Sequence, residues 1–361
     1  MTDHPAPIQT AVIGYGLSAT VFHLPFLEEN PAFKLRTILV RSPAASQEAA
    51  KAHPPPVTIV ESLDEILGNP EISLVVISTP PETHFPFAKA LIQAGKHLVI
   101  EKPLCSTSQE AQEIERLSRE HGVVVAVYQN RRFDSDFLTL RDTLNSGSLG
   151  TIVEYEANFD RFRSQLKDGG LSWKENGETP GSGLLYDLGS HLIDQALALF
   201  GVPVSVTASL LRQRPGTAVD DGFHVVLNYT GGPVVTLRAG MLIASPRPRF
   251  AVFGTMGSFV KHGLDVQEPQ LRSGMGLSDP RFAIEPEENS AVLTTVSAEG
   301  KAVSAHLKTR VGDYRQFYLL LAKAITHKTE PPATVAAVAN VIRVIELAYQ
   351  SHREQRTIPW H

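Results

Sequence analysis

Short apolar runs alternate with amphipathic stretches over the first third of the chain. Such runs are typical of parallel strands buried on both faces, and the stretches between them carry helical spacing. The predicted strands are residues 8–13, 34–40, 57–60, 74–78, 97–100 and 123–127. The predicted helices are residues 18–29, 84–94 and 106–121, with Thr83 as a cap of the second and a Ser106/Gln109 capping box on the third. The alternation predicts an α/β domain with a parallel sheet over residues 1–128.

The pattern changes to period two in the second part of the chain. Tyr155, Ala157 and Phe159 alternate with polar residues over 152–160, which indicates a half-exposed and therefore antiparallel strand. Further strands are predicted at 204–211, 223–230, 233–239, 249–254, 292–297 and 302–308. Helices are predicted at 134–144, up to about Phe200, at 313–327 and at 335–351. Residues 129–361 are therefore predicted to form an α+β domain.

The first predicted strand runs directly into a glycine-rich turn, Gly14-Tyr-Gly-Leu-Ser-Ala19. Gly14 permits the tight turn, Gly16 lets the backbone approach a pyrophosphate, and Ala19 lets the following helix pack on the strand. The N-terminus of that helix offers free N–H groups to phosphate. The stretch therefore predicts a dinucleotide-binding unit.

The end of the second strand carries Arg41-Ser42. Sites specific for NAD usually place an acidic residue near this point, whereas an arginine accommodates the 2′-phosphate of NADP. The missing acid favours NADP, with NAD as the alternative. A solvated loop charge is the other interpretation of Arg41.

Two later strands also end in candidate residues, because the C-terminal ends of parallel strands face the ligand crevice. The strand at 74–78 is followed by Thr79, Pro80, Pro81 and then His84. For His84, a structural role in the first helical turn is an equal alternative. The strand at 97–100 is followed by Glu101-Lys102-Pro103. A lysine at this point can polarise a substrate oxygen, although a surface lysine beside a turn is the plainer interpretation.

Asp187 and His191 lie four residues apart in a predicted helix, with Asp194 nearby. Residues four apart share a helical face, and a carboxylate beside an imidazole gives a general acid/base of near-neutral pKa. A core histidine paired with a carboxylate is equally compatible with this spacing. A metal is disfavoured, because no further Cys, His or Asp cluster completes a ligand shell. Gly181 and Gly183, just before the helix, indicate a close backbone approach.

The amino-acid composition limits the classes of function that the protein can have. Hydrophobic residues make up 42% and charged residues 20% of 361 residues, as in ordinary globular proteins. A net charge of −5 gives no reason to expect nucleic acid or an anionic membrane as partner. The single cysteine excludes an internal disulfide. No apolar run is long enough to span a bilayer and no signal peptide is evident, so we expect a cytoplasmic protein.

These motifs together resemble the Gfo/Idh/MocA oxidoreductases, which include glucose–fructose oxidoreductase and inositol dehydrogenase. Within that family the chain looks most similar to the branch with NADP-type scyllo-inositol dehydrogenases. The motifs that carry the resemblance are Gly14-Tyr-Gly-Leu-Ser-Ala19, Ser78-Thr-Pro-Pro-Glu-Thr-His84, Glu101-Lys-Pro103, Asn130-Arg-Arg-Phe133, Asn158-Phe-Asp-Arg-Phe-Arg163 and Asp187-x-x-x-His191.

The resemblance implies a Rossmann domain followed by a domain with a large, mostly antiparallel open sheet, through which family members often form dimers or tetramers. It implies that Lys102 holds the substrate oxygen, that Asp187 fixes the geometry and that His191 takes the proton. It places Arg161, Arg163 and Trp173 on the substrate side. The motifs and the resemblance together assign the cofactor to Gly14, Tyr15, Gly16, Leu17, Ser18, Ala19, Arg41, Ser42, Thr79, Pro80, Pro81, His84, Glu101, Lys102 and Asn130.

The sequence therefore predicts an NAD(P)-dependent oxidoreductase, preferring NADP, that acts on a sugar, inositol or similar polyol. Two alternatives remain on the same fold. One is a cofactor-binding sensor without catalysis, and the other is an enzyme that oxidises dihydrodiols or reduces imines.

Overall fold

The computed structural model describes residues 6–166 and 173–360. Its contacts divide the chain into two compact units. The first comprises Met1–Gln129, Pro269–Pro280 and Tyr314–Ala339, and the second comprises Asn130–Glu268, Arg281–Asp313 and Asn340–His361.

The first unit is built on a six-stranded sheet with the order β3-β2-β1-β4-β5-β6, in which every pairing is parallel. Its strands are β1 (Ile8–Ile13), β2 (Phe33–Leu39), β3 (Thr58–Val60), β4 (Leu74–Ile77), β5 (His97–Ile100) and β6 (Val125–Val127). All four residues of β4 are buried, as the unbroken apolar run predicts. The predicted parallel α/β fold is confirmed.

Helices connect these strands. They are α1 (Leu24–Glu29), α2 (Pro43–Ala52), α3 (Leu63–Leu67), α4 (His84–Gln93) and α5 (Ser108–His121). The predicted capping box was wrong by one residue: Thr107 and Glu110 form it, and the helix begins at Ser108. Thr83 is the N-cap residue of α4, as predicted, but its side chain forms no cap hydrogen bond, because its hydroxyl donates to the Pro80 carbonyl at 2.7 Å. The helix predicted over 18–29 is a π-helix at Ala19–His23 followed by α1.

The second unit contains a nine-stranded sheet with the order β14-β13-β12-β11-β7-β10-β9-β8-β15. Across the described residues the pairing of β7 with β10 is parallel and the other pairings are antiparallel, so the predicted mostly antiparallel sheet is confirmed. The strand predicted as antiparallel over 152–160 is β7, which is antiparallel to β11 but parallel to β10. Its strands are β7 (Ile152–Asn158), β8 (Ser205–Leu211), β9 (Gly222–Asn228), β10 (Val234–Gly240), β11 (Phe250–Gly254), β12 (Gly257–Lys261), β13 (Ala291–Val296), β14 (Ala302–Leu307) and β15 (Ile358–Pro359).

The sequence pattern did not predict strand β12, and the last residue of this strand explains why. Lys261 would normally mark an exposed position, but its side chain is fully buried and its Nζ lies 2.9 Å from Glu285. A buried ion pair of this kind leaves no signal in the local pattern, because its second member lies on a distant segment.

The remaining helices belong to the later part of the chain. They are α6 (Ser135–Asn145), α7 (Ser190–Phe200), α8 (Gln267–Arg272), α9 (Arg315–His327) and α10 (Val335–Glu354). Across residues 6–166 and 173–360, no helix combines the length and apolar character that a membrane span requires.

Candidate active site

The turn after β1 has the geometry that its glycines predict. Gly14 adopts φ +99°, and a Cβ at this position would lie 2.2 Å from the Ser78 carbonyl oxygen at the end of β4. By contrast, in the described part of the chain no atom beyond its immediate neighbours lies within 4 Å of the place a Cβ would take on Gly16. Gly14 is therefore required by the protein's own packing, whereas the bare backbone at Gly16 borders open space that a ligand can approach.

A cavity of about 260 Å³ opens beside this turn. It lies where β1, β2 and β4 end, the point at which the strand order reverses and at which dinucleotides bind in open α/β sheets. Its lining residues are Ile13, Gly14, Tyr15, Gly16, Leu39, Val40, Arg41, Ser42, Ala45, Thr79 and Phe87. The hydrogen-bond donors that line the cavity and the shape of the turn fit a dinucleotide.

Six of the predicted cofactor residues thus border one cavity, including Arg41 and Thr79. Sequence reasoning missed Ala45 and Phe87, which reach the cavity from α2 and α4. Neither residue type carries a ligand-binding signature, so only their positions on the helices that follow β2 and β4 mark them out.

His84 contacts Thr79, which lines the cavity, but does not itself line it. The ring is fully buried, with Nδ1 2.8 Å from the Pro103 carbonyl and Nε2 2.8 Å from the Thr79 carbonyl. Burial lowers the pKa of His84, against the opposing effect of these two hydrogen bonds. The imidazole therefore holds together the loops that follow β4 and β5, and we assign it to positioning. Pro81 is buried as well.

Glu101 and Lys102 follow β5, as predicted. The Glu101 carboxylate accepts hydrogen bonds from the Ser18 hydroxyl, from His23 Nε2 at 3.0 Å and from the Lys102 backbone N–H at 2.9 Å. Burial alone would raise the pKa of Glu101, but the His23 and Ser18 contacts and the charge of Lys102 lower it to about 2. Glu101 is therefore a buried anion next to the candidate lysine.

The remaining predicted members of the glycine-rich turn differ in exposure. Ala19 is fully buried under the sheet, whereas Leu17 is 54% exposed. Pro80 precedes the short 3-10 helix that leads into α4. Asn130, predicted beside the nicotinamide, is buried at the start of the 3-10 helix Asn130–Phe133 in the second unit.

In the second unit, Asp187 lies in a π-helix, Leu185–Gly189, that leads directly into α7. Asp220 fixes the start of this π-helix: its Oδ2 accepts from the Leu185 N–H at 2.7 Å, and its Oδ1 accepts from the Tyr349 hydroxyl at 2.5 Å. Burial raises the pKa of Asp220. A Cβ on Gly183 would lie 2.3 Å from Asp220 Oδ1, so the close approach indicated by this glycine is to Asp220.

The Asp187 carboxylate forms an ion pair that the sequence did not reveal. Lys174 Nζ lies 2.6 Å from Asp187 Oδ1, and the Gly183 N–H donates to the Lys174 carbonyl at 2.9 Å. His191, one turn further along, is 4% exposed. Asp194 accepts two hydrogen bonds of 2.8 Å from the Arg132 guanidinium, which assigns it to holding the Asn130–Phe133 segment.

Arg161 and Arg163 extend from the end of β7 and alternate along one extended segment. Their N–H groups donate to the carbonyls of Gly240 and Met241 at 2.9 and 2.7 Å. The Arg161 guanidinium lies over the Phe159 ring, 5.2 Å from its centroid. Burial lowers the pKa of Arg161, and the charge of nearby Asp187 opposes that shift. The side chain of Trp173 lies outside the described part of the chain.

Two family models match the chain. The model described as "Oxidoreductase family, NAD-binding Rossmann fold" covers residues 8–129, and the model described as "Oxidoreductase family, C-terminal alpha/beta domain" covers residues 141–360. The chain belongs to the Gfo/Idh/MocA oxidoreductase family. The glycine-rich turn and its cavity lie within the first match, and Asp187 and His191 lie within the second.

Full-length relatives and solved structures agree with this assignment. "Uncharacterized oxidoreductase YdgJ" of Escherichia coli (strain K12) is 39% identical over 97% of this chain and 98% of that protein. "scyllo-inositol 2-dehydrogenase (NADP(+)) IolW" of Bacillus subtilis (strain 168) is 37% identical over 97% of this chain and 95% of that protein. The structure of the "putative oxidoreductase yvaA" from Bacillus subtilis superposes with a TM-score of 0.93 at 35% identity, over 99% of this chain and 100% of that one. This Gfo/Idh/MocA member is an oxidoreductase with an NAD-binding Rossmann domain.

Proposed function

We propose that the protein is an NADP-preferring dehydrogenase or reductase that interconverts a hydroxyl and a carbonyl group on a sugar, inositol or related polyol. The observation that carries this proposal is the cavity at the glycine-rich turn, in the same sheet that presents Lys102 at the end of β5. The name of the Bacillus subtilis relative IolW, which specifies scyllo-inositol and NADP(+), supports the substrate and the cofactor.

Arg41 supports the choice of NADP over NAD. It lines the cavity at the end of β2, the position from which a side chain reaches the adenosine ribose in dinucleotide-binding folds. A guanidinium there offers paired donors to a 2′-phosphate, and among the residues that the structure describes no acidic one lines the cavity to hold the ribose hydroxyls of NAD.

Bound nicotinamide supplies or accepts the hydride, and the chain's residues handle the oxygen and the proton. In the oxidation direction, Lys102 Nζ donates a hydrogen bond to the substrate oxygen and stabilises the negative charge that develops there. The His191 imidazole accepts the hydroxyl proton, so that the C–O single bond becomes a carbonyl. Asp187, held by Lys174, keeps its carboxylate fixed four residues before His191. Arg161 and Arg163 contact the substrate hydroxyls.

The test uses purified protein, NADP⁺ and a panel of inositols, aldoses and polyols, with absorbance at the nicotinamide band. We expect turnover with at least one polyol, and a fall in kcat of about 10²–10⁴-fold in Lys102→Ala and in His191→Ala. Both variants should retain dinucleotide binding by fluorescence titration. Normal turnover in both would overturn the assigned roles, and dinucleotide binding without turnover across the panel would favour the sensor.

We further propose that two or four copies associate through the nine-stranded sheet. Its strands carry exposed apolar side chains, among them Val153, Phe253 and Val303, which are 50%, 38% and 55% exposed. Exposed apolar groups on a broad sheet favour association. Sedimentation of the wild type and of Val153→Glu tests this: a monomeric wild type contradicts it.

A further inference from the structure

In the first unit, a series of buried side chains linked by hydrogen bonds ends at the backbone N–H of Lys102. Tyr318 on α9 lies 2.6 Å from His23 Nδ1, and His23 Nε2 lies 3.0 Å from Glu101 Oε1. The other Glu101 oxygen accepts from the Lys102 N–H at 2.9 Å, and the Ser18 hydroxyl also donates to the carboxylate. Three segments of the chain are thus linked through one carboxylate: the glycine-rich turn with its π-helix, the end of β5, and, through His23, helix α9.

The directions of these hydrogen bonds are mutually consistent. Glu101 is a carboxylate and can only accept, so His23 Nε2 carries the proton of that contact. Burial raises the pKa of the Tyr318 phenol well above its ordinary value, so the phenol keeps its proton and can donate to His23 Nδ1 when the imidazole is neutral or accept from it when the imidazole is charged. In both cases His23 Nε2 donates to Glu101, and the contacts form one connected network.

Aromatic rings hold this chain of contacts away from water. The His23 ring is fully buried and packs against Tyr128, with 4.3 Å between the ring centroids. The Tyr318 ring stacks on Phe26. Packing and the three hydrogen bonds that it accepts therefore restrict the rotamers of the Glu101 carboxylate.

We propose that His23 and Tyr318 are positioning residues for Lys102, acting through Glu101, and that Ser18 ties the same carboxylate to the dinucleotide-binding turn. This inference rests on the proposed function in one respect, the role of the Lys102 ammonium at the substrate oxygen. The linkage itself concerns the backbone of Lys102 and the turn, both of which lie in the first unit.

Lys102 needs this positioning because it lies just beyond the end of β5 at Ile100. The sheet ladder fixes the chain only as far as the Glu101 N–H, which donates to Ile77 at 3.0 Å. Beyond that point, the hydrogen bond to the Glu101 carboxylate fixes the Lys102 N–H. A misplacement of about 1 Å in a group that contacts reacting atoms costs on the order of 10²-fold in rate, so fixing this peptide matters to catalysis.

The test compares Tyr318→Phe, His23→Leu and His23→Gln with the matched control Tyr128→Phe. The control also removes a buried phenol from the same aromatic cluster, but its hydroxyl donates to the Phe22 carbonyl at 2.8 Å. The first readout is the rate at which acetic anhydride labels Lys102 in the protein without added dinucleotide, measured by mass spectrometry against exposed Lys51. The others are the urea midpoint, the affinity for NADPH, and kcat and KM.

We expect Tyr318→Phe and His23→Leu to change the labelling rate of Lys102 several-fold relative to Lys51, and to lower kcat about tenfold or more with little change in KM. His23→Gln, which keeps a donor near Nε2, should recover part of both effects. Ser18→Ala should weaken NADPH binding and also change Lys102 labelling. Tyr128→Phe should lower only the urea midpoint.

A fall in the urea midpoint with unchanged labelling and kcat in Tyr318→Phe would assign the chain of contacts to stability alone and overturn the inference. If His23→Leu does not fold, Tyr318→Phe still decides the matter, because it removes a single hydroxyl. A wild type inactive on every polyol, with Lys102 labelling changed in the variants, would instead refute the proposed function and leave the positioning role in place.

Discussion

Lys174 Nζ lies 2.6 Å from Asp187 Oδ1, and this ion pair joins a short 3-10 helix, Trp173–Glu175, to the π-helix that precedes α7. The Asp187 side chain is 11% exposed and that of Lys174 is 42% exposed. The short contact between this half-exposed ammonium and the nearly buried carboxylate restricts the rotamers of Asp187. Lys174 is therefore a functional candidate that no sequence motif indicated.

Replacing Lys174 with Met should lower kcat/KM about tenfold, because Asp187 loses the cation that orients it. Steady-state kinetics with the best polyol measures the effect, and Lys174→Arg should preserve most of the activity. Lys301→Met, which removes an exposed lysine elsewhere in the second unit, is the control. Equal activity in Lys174→Met and Lys301→Met would exclude a role for the ion pair.

The two glycines of the dinucleotide turn should respond differently to alanine. Gly14→Ala places a methyl group against the Ser78 carbonyl at positive φ, and should lower the free energy of unfolding by about 2 kcal/mol or more. Gly16→Ala meets no protein atom, so its stability should stay within about 0.5 kcal/mol of the wild type while NADPH affinity falls at least tenfold. Urea unfolding and fluorescence titration separate the two effects. Unchanged NADPH affinity in Gly16→Ala would argue against this turn as the pyrophosphate site.

Arg41→Ala should weaken NADP⁺ binding by about 1–3 kcal/mol and leave NAD⁺ binding nearly unchanged, because only NADP carries the 2′-phosphate. Dissociation constants for both cofactors measure this difference. Arg36→Ala serves as control, since Arg36 lies in β2, the strand that Arg41 follows, but pairs with Glu71 at 3.1 Å. Loss of affinity for both cofactors, or for neither, would remove the argument for NADP.

Glu101 should make stability depend on pH in acid. Its pKa is lowered from 4.5 to about 2 in the folded protein, so its contribution is complete above about pH 5 and is lost as the pH falls towards 2. A shift of this size corresponds to about 3 kcal/mol. Asp220, Asp265 and Glu285 have raised pKa values and act in the opposite direction.

The comparison of wild type with Glu101→Gln isolates this contribution, because the opposing carboxyl groups are present in both. Urea unfolding should show a wild-type advantage at pH 7 that shrinks steadily between pH 5 and pH 3. A difference that is independent of pH over this range would mean that the contacts of Glu101 do not depend on its charge.

Local patterns were sufficient to locate most strands and the residues at their ends. The run 8–13 and strand β1 coincide, and the glycine-rich turn, Arg41 and Thr79 border the cavity that the turn predicts. Such predictions succeed because periodicity and turn chemistry depend on neighbours within a few residues. They failed at β12, whose buried Lys261 has the residue type of an exposed position, and at the cap of α5, where adjacent residues offer equivalent hydroxyls.

The sequence by itself determined the two fold classes, the order of most strands, the dinucleotide turn, and the placement of Lys102, Asp187 and His191 on their elements. Only the tertiary structure decided which polar groups meet. Glu101 and His23 are 78 residues apart, and His23 and Tyr318 are 295 apart. Contacts over such separations leave no periodic trace, because their strength comes from burial in a low-dielectric interior that exists only after the chain has folded.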